Sequence, residues 1–213
     1  MTPCRFCGHL QRRPPLLQPD LAHTALAESD QFIAWPSLGP LVEGWVLVLP
    51  KQHALSVRSM PTEAIVRFER FLQGVRRNVE HCYGPTVVFE HGPAQESSGV
   101  GCGIDHAHAH IVPWTGDLAD GVRKRYPSLT WHGLLNLQDL KASVPSSEPY
   151  LYLQPADGPA SAASGAQIPN QLIRREIASA LGQPGRYDWN DYPRYDLVQR
   201  TVSTLHMTLR ATA

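Results

Sequence analysis

Three histidines recur at every second position in Asp105-His-Ala-His-Ala-His-Ile-Val-Pro113. On an extended strand successive side chains point to opposite faces, so His106, His108 and His110 share one face and Ala107, Ala109 and Ile111 the other. A neutral imidazole nitrogen is a competent nucleophile at neutral pH, and its adduct with phosphorus is a reactive cation that water or another acceptor discharges. A second imidazole on the same face can donate a hydrogen bond to the phosphate oxygens as charge spreads in the transition state. Two plainer readings stay open from the residues alone. One is a row of surface histidines, which the small apolar residues opposite disfavour; the other is a metal site built wholly on this strand, since His-x-His spacing also suits chelation. Asp105 falls on the opposite face, as a solvated strand-edge charge or as support behind the histidines.

Cys4-x-x-Cys7 is the second group with chemistry in it, and by itself it is ambiguous among zinc, redox chemistry and chance. A redox pair normally follows a strand in a βαβ unit, which the opening residues lack. A closed zinc tetrahedron needs two further ligands, and His9 is one candidate by nearness in sequence.

Such a strand needs a sheet around it. Short apolar runs at 24–27, 32–35 and 45–49, the last two split by Pro36-Ser-Leu-Gly-Pro40, have the spacing of successive antiparallel strands. Residues 62–82 carry Ile65, Phe68, Phe71, Leu72, Val75 and Val79 at helical intervals, an apolar face that should cover the sheet. Residues 86–89 read as a further strand, 93–103 as a polar glycine-rich loop, and 104–114 as the histidine strand. Before these come a cysteine knuckle and a proline-containing loop at 13–19. Beyond residue 118 the character changes: 150–154 reads as a strand, 161–165 as a flexible loop, 171–181 as a helix stopped by Gly182, and 196–209 as a final helix.

With the elements in this order, His106-Ala-His-Ala-His110-Ile-Val-Pro113 resembles the signature of the histidine-triad (HIT) family of nucleotide hydrolases and transferases. The likeness extends to Trp45-Val-Leu-Val-Leu-Pro-Lys-Gln-His53, similar to that family's strand ending in Pro-Lys-x-His, and to residues 86–92 and the opening cysteines, covering roughly residues 4–115. The resemblance implies an α+β fold, an antiparallel sheet of about five strands covered by helices. It implies a catalytic domain at 1–118, and the remaining 119–213 form a helical carboxy-terminal extension packed on the same core. It also implies that His108 carries a nucleotidyl-histidine intermediate and that His110 helps bind the phosphate. In the metal-bearing branches of the family the paired cysteines are joined by the Pro-Lys-x-His histidine and the first triad histidine, which implies a structural zinc on Cys4, Cys7, His53 and His106. A homodimer is expected on the same ground.

The departures from the pattern bear on the substrate. Where the family carries Gly-Gln-Ser or Gly-Gln-Thr, this chain has Gly101-Cys-Gly103, so Cys102 and Gly103 stand at phosphate-contacting positions. The family's asparagine appears as Glu90 and its ribose-binding aspartate falls at or near Ser37. A carboxylate at 90 repels phosphate, which hints at a leaving group other than a second nucleotide. In the extension, Gln171-Leu-Ile-Arg-Arg175 resembles a Gln-x-x-Arg-Arg segment of longer family members. Gln171 and Arg174 are therefore binding candidates, beside the plainer reading of a docking helix with solvated arginines; Trp189 or Trp131 could stack on a base.

The 213 residues suffice for one full core but not for two large independent domains. Nineteen basic residues balance nineteen acidic ones, so no global field draws polymeric nucleic acid or an anionic membrane, and an anion must be recognised locally. Four cysteines are too few for a disulfide scaffold, and neither a signal peptide nor a membrane span is read, so a cytoplasmic chain acting on a small nucleotide is expected. The functional expectation is a nucleotide hydrolase acting on a phosphoanhydride or phosphoramidate. A nucleotidyltransferase with a small-molecule acceptor and a non-catalytic nucleotide-binding module are the alternatives.

Overall fold

The computed structural model describes residues 4–11, 21–98, 100–165 and 168–211, so the expected proline loop at 13–19 lies outside the described residues. Helix α1 (Arg5–Gln11) leads to strands β1 (Ala27–Glu28), β2 (Phe32–Pro36) and β3 (Val46–Pro50). Helix α2 (Thr62–Tyr83), β4 (Thr86–Gly92) and β5 (Ala109–Pro113) follow, then α3 (Leu118–Arg125), β6 (Thr130–Leu134) and α4 (Leu140–Ser143). The chain continues through β7 (Tyr150–Gln154), β8 (Ala160–Ser164), α5 (Leu172–Ala180) and α6 (Tyr195–Ala211). No described helix is long and apolar enough to cross a membrane.

The fold is α+β, but the sheet has eight strands rather than about five, in the order β1-β2-β3-β5-β4-β7-β8-β6, with every pairing antiparallel. Residues beyond 118 supply three of the strands. Strand β7 lies in register beside β4, Glu90 opposite Tyr152, and so pairs the edge that a five-stranded sheet would leave open. The extension is therefore not only helical. The stretch 161–165, whose small residues suggest a loop, is mostly strand β8: Ala162 and Ala163 are fully buried on opposite faces, and pairing on both sides overrides a weak local preference. At the amino end the knuckle is a helix, and of 24–27 only Ala27 begins a strand, behind a 3-10 turn at Leu21–His23.

Helix α2 forms where its periodicity places it and ends at Gly84. Its face of Ile65, Phe68, Leu72, Val75 and Val79 packs with Val202 and Leu205 of α6 on one side of the sheet, against Val46, Val48 and Ile111. Each large apolar side chain buried there is worth about 1.5–3 kcal/mol. The other side is covered by α3 and α5 over Val87, Val112 and Leu151, and by Phe6 of α1 over Trp35, Leu47 and Leu49. The histidines lie on that second side.

Candidate functional site

The histidine strand is shorter than its alternation suggests. Only Ala109–Pro113 is laddered, because Ala107 donates its N–H to Ala54 and the Asp105 carboxylate accepts from the Ser97 N–H at 2.7 Å, drawing 105–107 toward loops. Asp105 thus ties the glycine-rich loop to the base of the triad. Strand β5 sets His110 between Leu47 and Phe89 in register, and its ring stacks on Phe89 with centroids 4.3 Å apart.

Hydrogen bonds assign the proton on each ring. The His106 Nε2–H donates to the Pro50 carbonyl at 2.8 Å, and the His108 Nδ1–H donates to the His106 carbonyl at 2.6 Å. A carbonyl only accepts, so the lone pairs are Nδ1 of His106 and Nε2 of His108. His110 is the reverse: its Nδ1 accepts the indole N–H of Trp45 at 3.0 Å, so the neutral ring carries its proton on Nε2, 3.3 Å from the Cys102 sulfur. Burial keeps the rings neutral. It lowers His108 below the ordinary histidine value despite the bond to the His106 carbonyl, and holds His110 well below it, with the neighbouring His108, Arg174 and His91 adding to the effect.

Cys4, Cys7, His53 and His106 come together with all four ligand atoms within 4.8 Å of one another. The sulfur-to-Nδ1 separations are 3.5 Å for Cys4 and His106, 3.6 Å for Cys7 and His106, and 3.4 Å for Cys7 and His53. A tetrahedron built on metal–sulfur and metal–nitrogen bonds of about 2.3 and 2.1 Å has a sulfur–nitrogen edge of about 3.6 Å, so the spacing fits. The lone pair of His106 faces the cluster, its other nitrogen being held by the Pro50 carbonyl in the manner of an oriented metal ligand. Without a cation, burial and the Cys4 thiol push Cys7 up to about 11. His9, the other ligand candidate, stacks on His23 with centroids 3.5 Å apart and is not in this cluster. Cys102, His108 and His110 also have ligand atoms close enough to share an ion. That group fails the lone-pair test, since ligation through His110 Nε2 would oppose its ring proton to the Trp45 N–H.

A narrow cavity opens beside His108 and His110. Phe6, Trp35, Leu38 and Leu47 make its apolar walls, and Ser37, Cys102, Arg174 and Trp189 line it as well. Ser37 is buried and donates to the Leu38 carbonyl at 3.3 Å. Burial pushes the Cys102 thiol up to about 12, so it stays protonated. Arg174 is 1% exposed and its guanidinium bonds the carbonyls of Tyr187 and Gly39 while lying 4.7 Å from the centre of the Trp45 ring. Trp189 donates to the Cys102 carbonyl at 2.9 Å.

Three residues expected at the substrate are not brought into this cavity. Glu90 points to the opposite side of the sheet from its neighbour Phe89, where its carboxylate accepts from the Val57 N–H at 2.8 Å and from the Tyr150 hydroxyl. Strand alternation decides this, and the repulsion argument for Glu90 falls with it. Gly103 lines a neighbouring cavity instead. Gln171 is buried at the start of α5 in a left-handed conformation, its N–H donating to the Gly101 carbonyl, so it braces the loop that carries Cys102. Trp131 lies under Arg123, away from the cavity lining.

The sequence reading missed His91 and Arg5. His91 is buried on the triad's side of β4 with neither ring nitrogen bonded, and burial together with His108 lowers it to about 4. Only the β4–β5 register puts it there. Arg5, the first residue of α1, lines this cavity beside Phe6, and it also lines the neighbouring cavity with Cys4 and Cys7.

This geometry carries two expected results. Burial raises the Glu90 carboxyl to about 7, partly offset by the Tyr150 hydroxyl, the Val57 N–H and Arg58. A carboxyl raised on folding favours the folded state at low pH. Its contribution is complete below the ordinary value of 4.5 and is lost as pH rises toward about 7, a change of about 3 kcal/mol. Glu90→Gln should therefore gain about 3 kcal/mol relative to the native chain between pH 4.5 and pH 8 in urea unfolding; parallel pH profiles would count against it. Gly39 has φ +61°, and a Cβ there would lie 2.6 Å from the Trp189 Cα. Gly39→Ala should shift the Trp189 segment, lowering stability by about 1–3 kcal/mol. Urea unfolding followed by tryptophan fluorescence checks this, with an unaltered midpoint as the contrary result.

The family model described as "Protein similar to CwfJ C-terminal" matches residues 3–120, more than half of the chain. An uncharacterized HIT-like protein of Borreliella burgdorferi is 24% identical over 117 residues, 53% of this chain and 76% of that protein. Among solved structures, a HIT family hydrolase from Clostridium thermocellum is 20% identical with a TM-score of 0.40, covering 55% of this chain and 95% of that one. A hypothetical histidine triad nucleotide-binding protein from Sulfolobus tokodaii is 22% identical with a TM-score of 0.42, covering 54% and 71%. Because the family match takes in the cysteine pair and all three histidines, this chain belongs to the HIT-like family of proteins similar to the CwfJ C-terminal region.

Proposed function

We propose that the chain is a nucleotide hydrolase working through a covalent nucleotidyl-histidine on His108. The observation that carries this reading is the opposed pair of tautomers: a lone pair on His108 Nε2 and a proton on His110 Nε2, side by side with ring centroids 5.0 Å apart. The Nε2 lone pair of His108 attacks phosphorus, a P–N bond forms, and the leaving group departs with the electron pair of the bond it loses. The His110 N–H turns from the Cys102 sulfur to a phosphate oxygen, and buried Arg174 adds its field as charge shifts. Water then adds to phosphorus, the P–N electron pair returns to Nε2, and the proton that water sheds balances the one the leaving group takes up.

Zinc is the ion proposed for Cys4, Cys7, His53 and His106, held by two thiolates and two imidazole lone pairs. Bound there it supplies no step of the reaction; the four residues tie α1 and its Phe6 to the backbone beside His108, Phe6 lying 5.5 Å from the His108 ring. The test is rapid acid-free quenching with a panel of nucleoside polyphosphates, nucleotide sugars and phosphoramidates, followed by intact-protein mass spectrometry. A mass increase of one nucleotidyl group is expected. Turnover without any adduct would sink the covalent route, and an added acceptor that ends up carrying the nucleotide would make the enzyme a transferase.

A further inference from the structure

Among the described residues, those lining the triad cavity include two arginines, Arg5 and Arg174, and no aspartate or glutamate. Arg174 is buried, and its bonds go to carbonyls and its face to an indole, none of which carries the opposite charge. The carboxylate of Asp188 reaches it only through its field, and burial lowers Arg174 to about 10, so it stays charged. A buried guanidinium without a bonded carboxylate is stabilised by an anion delivered to it. Arg5 is exposed, stands over the Trp189 ring at 5.1 Å, and has no carboxylate partner among the described residues. It and Trp189 are shared between this cavity and a second one that continues outward past Gly103 and is also lined by Cys4, Cys7 and His53. One cation therefore sits beside the histidines and another where a substrate leaves the triad.

Resting on the nucleotide reading above, we propose that Arg5 is the residue that selects the leaving group, binding its phosphate while Arg174 faces the phosphate attacked, so that a phosphoanhydride is preferred to a phosphoramidate. A nucleoside phosphoramidate offers one negative charge at its single phosphorus and an uncharged or cationic leaving amine, which leaves Arg5 without a partner. A diphosphate offers a charge on each phosphorus, and a planar guanidinium can hold two oxygens of the second. Farther out, Glu96 and Asp105 line the second cavity, and their carboxylates oppose a third phosphate. The chain is thus fitted to two phosphates and gains little from more.

The test is calorimetric titration of the metal-loaded full chain in the His108→Ala background, where ligand is not consumed. The probes are a nucleoside 5′-phosphoramidate, the matching α,β-methylene diphosphate and the matching α,β-methylene triphosphate, each with adenine, guanine and uracil. The diphosphate should bind at least about tenfold tighter than the phosphoramidate, and the triphosphate within about threefold of the diphosphate. Adding Arg5→Gln should bring the diphosphate preference down to about twofold, and Arg5→Lys should restore part of it. Loosening of α1 would weaken all three ligands together, so the ratio separates charge recognition from a structural effect. Should Arg5→Gln fail to fold, a preference that shrinks with added salt in the His108→Ala chain and is smaller in Arg5→Lys carries the same information. Equal affinities, a ratio that Arg5→Gln leaves unchanged, or no binding of any probe would overturn the assignment. Since binding does not depend on His108 attacking, a missing adduct with an intact ratio removes the nucleophile and leaves the clamp, and the converse holds.

Discussion

His108→Ala should abolish the nucleotidyl adduct and lower kcat by at least about 10⁴-fold, the scale on which removing a covalent nucleophile acts. The reasons lie in what surrounds the ring. Its Nδ1–H is engaged by the His106 carbonyl, so the attacking nitrogen is assigned by the backbone and does not depend on chance protonation. Burial lowers the ring below the ordinary histidine value, so the lone pair is free throughout the neutral range. His110→Ala should be milder, about 10²–10³-fold, because it removes a hydrogen-bond donor to the phosphate and leaves attack possible. It also strands the Trp45 N–H, which adds a stability loss of about 1–3 kcal/mol. Single-turnover kinetics with intact-mass detection separates the two variants. A His108→Ala chain that still forms the adduct, or turns over within tenfold of the native rate, would place the chemistry on another residue.

Removal of the proposed metal should be the second large effect. The purified chain should carry about one zinc per molecule, and Cys4→Ser should lose it. With free metal at about a thousand times its dissociation constant, binding to the folded chain alone adds about 4 kcal/mol. For a chain of this size that corresponds to a fall in melting midpoint of roughly 8–16 °C on chelation. Phe6, which is 4% exposed and packs edge-on against Trp35 and His106 at 5.6 and 5.7 Å, should lose its place as α1 comes free. The cavity then loses a wall, so KM should rise more than kcat falls. Cys82→Ser, on helix α2, is the matched control and should alter neither metal content nor KM. Native protein free of metal, or a melting midpoint indifferent to chelation, would end the proposal.

Features governed by one segment's own periodicity are legible in the residues themselves. The apolar spacing of α2, the cores of β2 to β4 and the common face of three alternating histidines belong to this class, because a helix or strand repeats on a scale of a few residues. The four proposed metal ligands are named from a family likeness to cysteines and histidines that lie as much as 102 positions apart, which no spacing argument could join. The strand of small residues at β8 is hidden, since alanine and serine become strand only when neighbours pair with them on both sides. Glu90 is misplaced for a related reason: a shift of one residue along a strand reverses the face, and only the pairing with β5 and β7 shows that Phe89 and His91 look toward the triad.

The row of alternating imidazoles, a residue type suited to phosphorus chemistry, and the order of the elements that carry it are legible in the residues themselves. Which ring nitrogen is free is a tertiary matter, because the Pro50 and His106 carbonyls and the Trp45 indole settle the tautomers. So is the arrival of Arg174 and Trp189 of the extension and Arg5 of α1 at the same cavity. The Trp189 bond to Cys102 spans 87 positions of chain, and at that distance only the burial of a shared core selects which residues meet.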